Sequence, residues 1–127
     1  MVISSVAGYI GSPLRSTYAA SKHALHGFFD ALRAEHHRDR IDVTIVCPGF
    51  IRTEISKNAL QGSGSKHGEM DQKTDRGTDP TVCALEILRS VARRDYELYV
   101  GSMSFLIYIR RFFPGLITRL LFRAKTT

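Results

Sequence analysis

The spacing of apolar residues changes twice in the first half of the chain. Residues 2–6 form a short apolar run that ends in serine, which predicts a strand. Between Tyr18 and His37 the apolar positions recur every three or four residues, which predicts a helix; they are Ala20, Ala24, Phe28, Ala31 and Leu32. Residues 41–47, IDVTIVC, are β-branched and almost continuously apolar, as in a strand that is buried on both faces.

The second half of the chain continues this alternation. Residues 57–78 are polar and rich in glycine, which predicts a mobile loop. Asp79 followed by Pro80 is a typical helix start, and the helix behind it carries Val82, Leu85, Leu88 and Val91. Residues 96–100, YELYV, predict a last strand. Strands alternating with helices indicate an α/β fold with a parallel sheet.

The positive charge of the chain belongs to one end of it. The net charge is +6, but residues 1–88 contain ten basic and ten acidic side chains. Residues 89–127 contain eight basic side chains and only two acidic ones. A basic tail on a neutral body indicates a local surface, whereas nucleic-acid binding requires a basic stripe on the body. We therefore expect no nucleic-acid partner.

No metal site is expected either. Cys47 and Cys83 have no metal-type spacing and form no disulfide framework, so they are interpreted as two half-buried thiols. His36 and His37 lie near the end of the first predicted helix, where a partial positive charge suits the helix dipole. Met1 is followed directly by VISSVAG, without the basic region of a signal peptide.

The tail at residues 102–127 is basic and amphipathic. Its segment 102–124 is mostly apolar, but Arg110, Arg111 and Pro114 interrupt it, so it is too broken to span a bilayer. Two interpretations remain open. The tail either packs over a substrate pocket or a second subunit, which we favour slightly, or lies on a membrane with its arginines facing anionic lipid.

Candidate chemistry centres on the segment YAASK, from Tyr18 to Lys22. Residues four apart lie on one face of a helix, so the phenol and the ammonium group point the same way. A neighbouring cation stabilises a phenolate, and acid–base catalysis works best when the pKa approaches the working pH. Such a pair transfers protons well, but the spacing alone occurs by chance on many helices.

Two further motifs give the pair its context. Ser5 lies thirteen residues before Tyr18, and PGFIRT (48–53) follows the predicted strand at 41–47. Serine, then YxxxK, then a strand and PGxxxT is a pattern that resembles the short-chain dehydrogenase/reductases. The resemblance covers essentially the whole chain. Within the family, one subgroup is most similar to this sequence, and three segments carry that similarity: LRSTYAASKHALHGFFDALRAE, GSGSKHGEMD and PGLITRLL.

The resemblance implies a fold and catalytic roles. Residues 1–101 would form the catalytic half of a Rossmann-like, doubly wound parallel sheet, without its nucleotide-binding half. Tyr18 would be the general acid/base and would also contact the cofactor. Lys22 would assist it and bind the nicotinamide ribose, and Ser5 would hold the substrate oxygen. Ser4 is distinguished from Ser5 only by register and is assigned a structural role.

The resemblance also implies a nicotinamide cofactor, NADP rather than NAD by a small margin. Pro48 and Gly49 would pass close to the nicotinamide, while Ile51 and Thr53 would contact its carboxamide and the nearby phosphates. The Gly-rich turn that seats the pyrophosphate in this family does not occur in the sequence. Other implied properties are a small hydrophobic carbonyl or alcohol substrate, a homodimer, and a location at the endoplasmic reticulum membrane or in the cytoplasm.

The leading hypothesis is therefore an oxidoreductase that transfers hydride between NAD(P)(H) and a carbonyl or alcohol, present as a fragment that is inactive alone. A second hypothesis is a truncated, non-catalytic remnant that binds only a lipid or a partner. Both involve the same residues, so the sequence does not separate them.

Overall fold

The computed structural model describes residues 1–55 and 72–123. Strands and helices alternate in the order β1 (Val2–Ile3), α1 (Ser16–Glu35), β2 (Ile45–Pro48), α2 (Gln72–Asp75), α3 (Pro80–Ala92) and β3 (Glu97–Val100). Two helices follow, α4 (Phe105–Phe112) and α5 (Pro114–Arg123). Single 3₁₀ turns lie at Val6–Gly8, His37–Asp39 and Ser102–Ser104.

The strands form a parallel sheet in the order β1-β2-β3, as the alternation of elements predicted. Ile45 in the central strand lies opposite Val2 on one side and Glu97 on the other. Among the described residues β1 pairs only with β2, so its other edge is open. Because the strands are parallel, the carboxyl ends of all three lie at one edge of the sheet. Ligands bind at this edge in open α/β folds.

The first two strands are shorter than predicted. The strand expected at 2–6 ends at Ile3, because Ser5 caps the 3₁₀ turn at Val6–Gly8 and so turns the chain away from the sheet. The strand expected at 41–47 begins only at Ile45, although Val43 and Thr44 before it are already buried. The apolar pattern of residues 41–47 therefore predicted a buried segment, but it did not predict how many of its residues pair with the neighbouring strands.

The core forms around the central strand. Val43, Ile45 and Cys47 are buried together, and four partly buried side chains pack against them: Val2, Tyr9, Phe29 and Tyr99. These four come from β1, the loop behind it, α1 and β3. The core therefore fixes the segment after β1 and the helix α1 to the same strand.

Helix α1 confirms the predicted helix, but its apolar stripe faces away from the sheet. Ala20, Ala24, Phe28 and Ala31 are all exposed, with Phe28 exposed to 63%. Ala19 is buried and Phe29 packs on the core instead. The helix thus presents an unpartnered apolar face beside the face that carries the candidate site.

Helix α3 begins as predicted. The carboxylate of Asp79 accepts a hydrogen bond from the backbone N–H of Thr81 at 2.8 Å, and Pro80 is the first helical residue. Most of the predicted loop at 57–78 lies outside the described residues. Its described end contains α2 and an isolated parallel bridge between Ile51 and Thr78.

The tail forms two short helices, and Pro114 begins the second of them. Ile107 and Ile117 are buried, and Tyr108 packs edge-on against Tyr99 of β3 with ring centroids 6.1 Å apart. The other large apolar side chains of the tail are mostly exposed, including Phe112, Phe113 and Phe122. Of the helices within residues 1–55 and 72–123, none has the length and apolar character needed to cross a membrane.

Candidate active site

Ser5 lies directly beyond the carboxyl end of β1. Its hydroxyl oxygen accepts a hydrogen bond from the backbone N–H of Ala7 at 3.1 Å, and this bond caps the following turn. The same hydroxyl lies 3.5 Å from the carbonyl oxygen of Pro48, the last residue of β2. The structure therefore brings Ser5 and Pro48 together at the carboxyl edge of the sheet.

Tyr18 and Lys22 lie in the first two turns of α1, on the face that sequence spacing predicted. The Lys22 Nζ atom is 5.7 Å from the centroid of the Tyr18 ring, within the range of a cation–π contact. It also donates a hydrogen bond to the carbonyl oxygen of Ile3 at 3.1 Å. Lys22 thus links the phenol of Tyr18 to the end of the strand that leads into Ser5.

The phenol of Tyr18 is accessible. The side chain is exposed to 42%, and its hydroxyl makes no hydrogen bond to another residue in the described ranges. The ammonium group of Lys22 has three donors, and the bond to Ile3 uses one of them. A ligand at this edge of the sheet therefore finds a phenol and two further ammonium donors.

The segment after β2 is held against the chain before α3. The N–H of Gly49 donates to the carbonyl of Val100 at 2.9 Å, so Gly49 lies between the ends of β2 and β3. Ile51 forms the isolated bridge with Thr78, while Thr53 is exposed. Of the predicted cofactor residues, Pro48 contacts Ser5, and Gly49 follows it in the chain. Ile51 and Thr53 lie farther along the loop and make no hydrogen bond with Ser5, Tyr18 or Lys22.

An ion pair that the sequence did not reveal closes this loop. Arg52 donates to the carboxylate of Asp79 at 2.7 Å, and its backbone N–H donates to the carbonyl of Thr78 at 2.9 Å. The bond from Thr81 N–H to the Asp79 carboxylate, and then the neighbouring Arg52, lower the pKa of Asp79. Asp79 therefore fixes the end of PGFIRT as well as starting α3.

The structural role assigned to Ser4 agrees with its surroundings, but its partner was missed. Ser4 is buried, and its hydroxyl oxygen lies 2.8 Å from the Nε2 atom of His26. His26 follows Lys22 by four residues and so lies on the same helix face, which is the signal that identifies it.

A second, partly buried polar cluster adjoins this one. The hydroxyl of Tyr9 donates to Glu97 at 2.5 Å, and Tyr99 donates to the other oxygen of the same carboxylate. Burial, followed by the bonds to Glu97, raises the pKa of both phenols, so they remain protonated donors. Burial also lowers the pKa of His26, whose ring lies edge-on to Tyr9 with centroids 4.4 Å apart.

The two cysteines are more deeply buried than predicted. Cys47 and Cys83 are both buried and unpaired rather than half-buried, because β2 is covered on both faces and Cys83 lies on the inner face of α3. Burial raises the pKa of the Cys47 thiol to about 12. Within the described residues no group of three or more histidine, cysteine or acidic side chains is suited to a metal ion.

Comparisons with known proteins identify the family of the chain. The family model described as short chain dehydrogenase matches residues 1–64, which is half of the chain. Dehydrogenase/reductase SDR family member 7B of Bos taurus is 42% identical over 123 residues, covering 95% of this chain and 38% of that protein. The Xenopus laevis protein of the same name is 48% identical over 118 residues, covering 91% and 36% respectively. The chain thus spans less than two fifths of the length of these relatives.

Solved structures support the fold. A short chain dehydrogenase/reductase from Burkholderia phymatum in complex with NAD superposes with a TM-score of 0.68 at 19% identity, over 90% of this chain and 47% of that one. 4-hydroxyisoleucine dehydrogenase complexed with NADH superposes with a TM-score of 0.52 at 30% identity, over 77% and 42%. The expected fold, part of a Rossmann-like parallel sheet, is confirmed. The chain belongs to the short-chain dehydrogenase family and is similar in sequence to its member 7B proteins, as the three sequence segments indicated.

Proposed function

We propose that the chain carries the acid–base site of an oxidoreductase that transfers hydride between NAD(P)(H) and a carbonyl or alcohol. The observation that carries this proposal is the placement of Lys22 between the ring of Tyr18 and the strand end that leads into Ser5. A proton donor, a cation and a hydroxyl at the carboxyl edge of a parallel sheet are the groups that carbonyl reduction requires. The family membership supports the same assignment.

Each side chain has a role in this reaction. The hydroxyl of Ser5 holds the substrate oxygen by a hydrogen bond, and the accessible phenol of Tyr18 gives that oxygen a proton during reduction. The reduced nicotinamide supplies the hydride when it is bound. Lys22 stabilises the phenolate that Tyr18 becomes, and its two remaining donors suit the hydroxyl groups of the nicotinamide ribose. In the oxidation direction Tyr18 takes the proton back.

The cofactor would lie along the segment after β2. Pro48 and Gly49 would border the nicotinamide, and Ile51 and Thr53 would contact its carboxamide and the phosphates. The resemblance favours NADP over NAD, and a small hydrophobic carbonyl or alcohol as substrate. Because the chain has no Gly-rich phosphate turn, we propose that it is inactive without a nucleotide-binding half.

The test uses a fused protein, in which this chain follows the nucleotide-binding half of the Xenopus laevis relative. We expect it to oxidise NADPH in the presence of hydrophobic aldehydes and ketones, faster than NADH, and to release the alcohols. Fluorescence of bound NADPH establishes first that the fused protein folds and binds cofactor. Binding of NADPH without turnover of any carbonyl in a broad panel would contradict the proposed activity.

A non-catalytic remnant is the alternative, and the exposed apolar stripe of α1 is the observation that favours it. Ala20, Ala24, Phe28 and Ala31 form a face that suits a protein partner. The same face suits the homodimer that we propose for the complete enzyme. A turnover-competent fused protein excludes the remnant hypothesis, while sedimentation of the fused protein distinguishes a dimer from a monomer.

We further propose peripheral membrane contact through residues 102–124, with the endoplasmic reticulum membrane and the cytoplasm as the candidate locations. Helices α4 and α5, with Phe113 between them, expose large apolar side chains beside basic ones; the apolar ones are Phe112, Phe113, Leu116, Leu120 and Phe122, and the basic ones are Arg110, Arg111, Arg119 and Arg123. Each arginine close to an anionic surface contributes about 1 kcal/mol. Packing of Tyr108 on Tyr99 keeps this tail next to β3, so it would cover a pocket for a lipid-like substrate as well.

Liposome flotation tests the membrane contact. We expect the fused protein to float with vesicles that contain phosphatidylserine at low salt, and to float less at high salt. The control is the double variant Arg110→Gln and Arg111→Gln, which keeps the apolar residues and should bind more weakly. If the unmodified protein stays unbound even to anionic vesicles at low salt, the tail is structural.

A further inference from the structure

The hydroxyl of Ser4 joins two segments that carry the proposed catalytic residues. Ser4 is exposed to only 3% and immediately precedes Ser5. Its oxygen lies 2.8 Å from the Nε2 atom of His26 and 3.3 Å from the backbone carbonyl oxygen of Lys22, to which it donates. Both of these partners lie on α1, one turn apart. A single buried hydroxyl therefore connects the loop of Ser5 to the helix turn that begins at Lys22.

The ring of His26 is held in place by its surroundings. It lies edge-on to Tyr9, with ring centroids 4.4 Å apart at 66°, and its Nε2 atom is 3.9 Å from the sulfur of Cys47. A Cβ atom added at Gly8 would come within 2.4 Å of His26 Nε2 and within 2.7 Å of the Ser4 hydroxyl oxygen. Gly8 thus leaves just enough room for the bond between Ser4 and His26.

The cluster extends to two of the three strands, β2 and β3. Tyr9, which packs on His26, donates to Glu97 of β3, and Cys47 belongs to β2. Burial lowers the pKa of His26, so near neutral pH its imidazole is uncharged and shares one hydrogen bond with Ser4. A neutral, partly buried side chain with these contacts fixes the rotation of α1 relative to the sheet.

We propose that His26 is a positioning residue for the acid–base site, acting through Ser4. The inference rests on the proposed function, since it names what holds that site together. Tyr18, Lys22 and His26 lie four residues apart on one face of α1, while Ser4 and Ser5 are adjacent on the loop. Fixing His26 to Ser4 therefore fixes the phenol of Tyr18 relative to the hydroxyl of Ser5. His26 itself does not contact the substrate.

The fused protein with His26→Leu tests this role, because leucine fills the space but cannot bond to Ser4. A displacement of reacting groups by about 1 Å costs on the order of 10²-fold in rate, so we expect a loss of at least about tenfold in kcat with little change in KM. His26→Gln, which restores a hydrogen-bonding group, should recover most of kcat. His37→Leu is the matched control, since His37 is exposed and, within residues 1–55 and 72–123, bonds only to the backbone carbonyl of Ala34; the kcat of this variant should not change.

Two comparisons separate this inference from the proposed function. Tyr18→Phe in the same assay tests the function alone; if it loses turnover while His26→Leu keeps wild-type kcat, only the positioning role is wrong.

The hydrogen bond between Ser4 and His26 is measured without turnover, by urea unfolding of the 127-residue chain with Ser4→Ala, His26→Leu and both changes. We expect the free energy of unfolding of the double variant to be no lower than that of the less stable single variant. Fully additive losses of stability, or equal kcat losses in His26→Leu and His26→Gln, would overturn the proposal.

Discussion

Replacement of Ile45 by alanine tests the packing that fixes the site. Ile45 is the first residue of the central strand, is exposed to 0%, and belongs to the core cluster with Val43 and Cys47. The substitution removes three carbon atoms, at about 0.8 kcal/mol each, or about 2.4 kcal/mol in total. An unfilled cavity adds to this, so we expect the free energy of unfolding to fall by about 2–5 kcal/mol. Because a domain is stabilised by only about 5–15 kcal/mol, the loss is large.

The assay is urea unfolding of the 127-residue chain, followed by circular dichroism. Ile41→Ala is the matched control, since Ile41 is the same residue type in the same segment but is exposed to 46%. We expect it to cost no more than about 1 kcal/mol. Equal losses for the two variants, or a loss below about 1 kcal/mol for Ile45→Ala, would show that β2 does not pack in the described register.

Three further predictions concern individual groups. Burial raises the pKa of the Cys47 thiol to about 12, so its thiolate is scarce at neutral pH. We therefore expect iodoacetamide to alkylate Cys47 at least about 10²-fold more slowly in the folded chain than in urea. Equal alkylation rates would refute the burial of Cys47. The sequence contains no Gly-rich turn to hold the phosphates of a nucleotide. Isothermal calorimetry of the 127-residue chain with NADPH or NADH should therefore show no binding as tight as about 1 μM, or about −8 kcal/mol. Tighter binding would mean that a phosphate site has been overlooked. Lys22→Met in the fused protein should reduce turnover, since the cation that stabilises a phenolate is removed; unchanged turnover would argue against the role of Lys22.

Sequence patterns identified the elements better than their faces. The periodicity of Ala20, Ala24 and Phe28 correctly predicted α1, yet these residues are exposed while Phe29 packs on the core. Both sides of this helix carry apolar residues, and periodicity alone does not say which side meets the sheet. The same applies to α3, where Leu88 is exposed and Cys83 is buried.

The placement of Tyr18 beside Lys22 could be predicted because the two residues lie at a fixed spacing. Tyr18 and Lys22 share a helix face by geometry, and their contact follows from that face. The pairing of Ser4 with His26 depends on how the loop after β1 meets α1, and the sequence does not encode that contact as a local pattern. The ion pair of Arg52 with Asp79 was missed for the same reason, since 27 residues separate its partners.

Turnover by Tyr18→Phe in the fused protein tests the central claim most directly. The change removes only the hydroxyl, and Tyr18 is exposed, so folding and NADPH affinity should remain close to those of the unmodified protein. We predict a loss of at least about 10²-fold in kcat, the usual contribution of a positioned proton donor, with cofactor fluorescence unchanged. If the phenylalanine variant instead keeps the unmodified rate on every accepted carbonyl, Tyr18 is not the proton donor and the proposed mechanism is wrong.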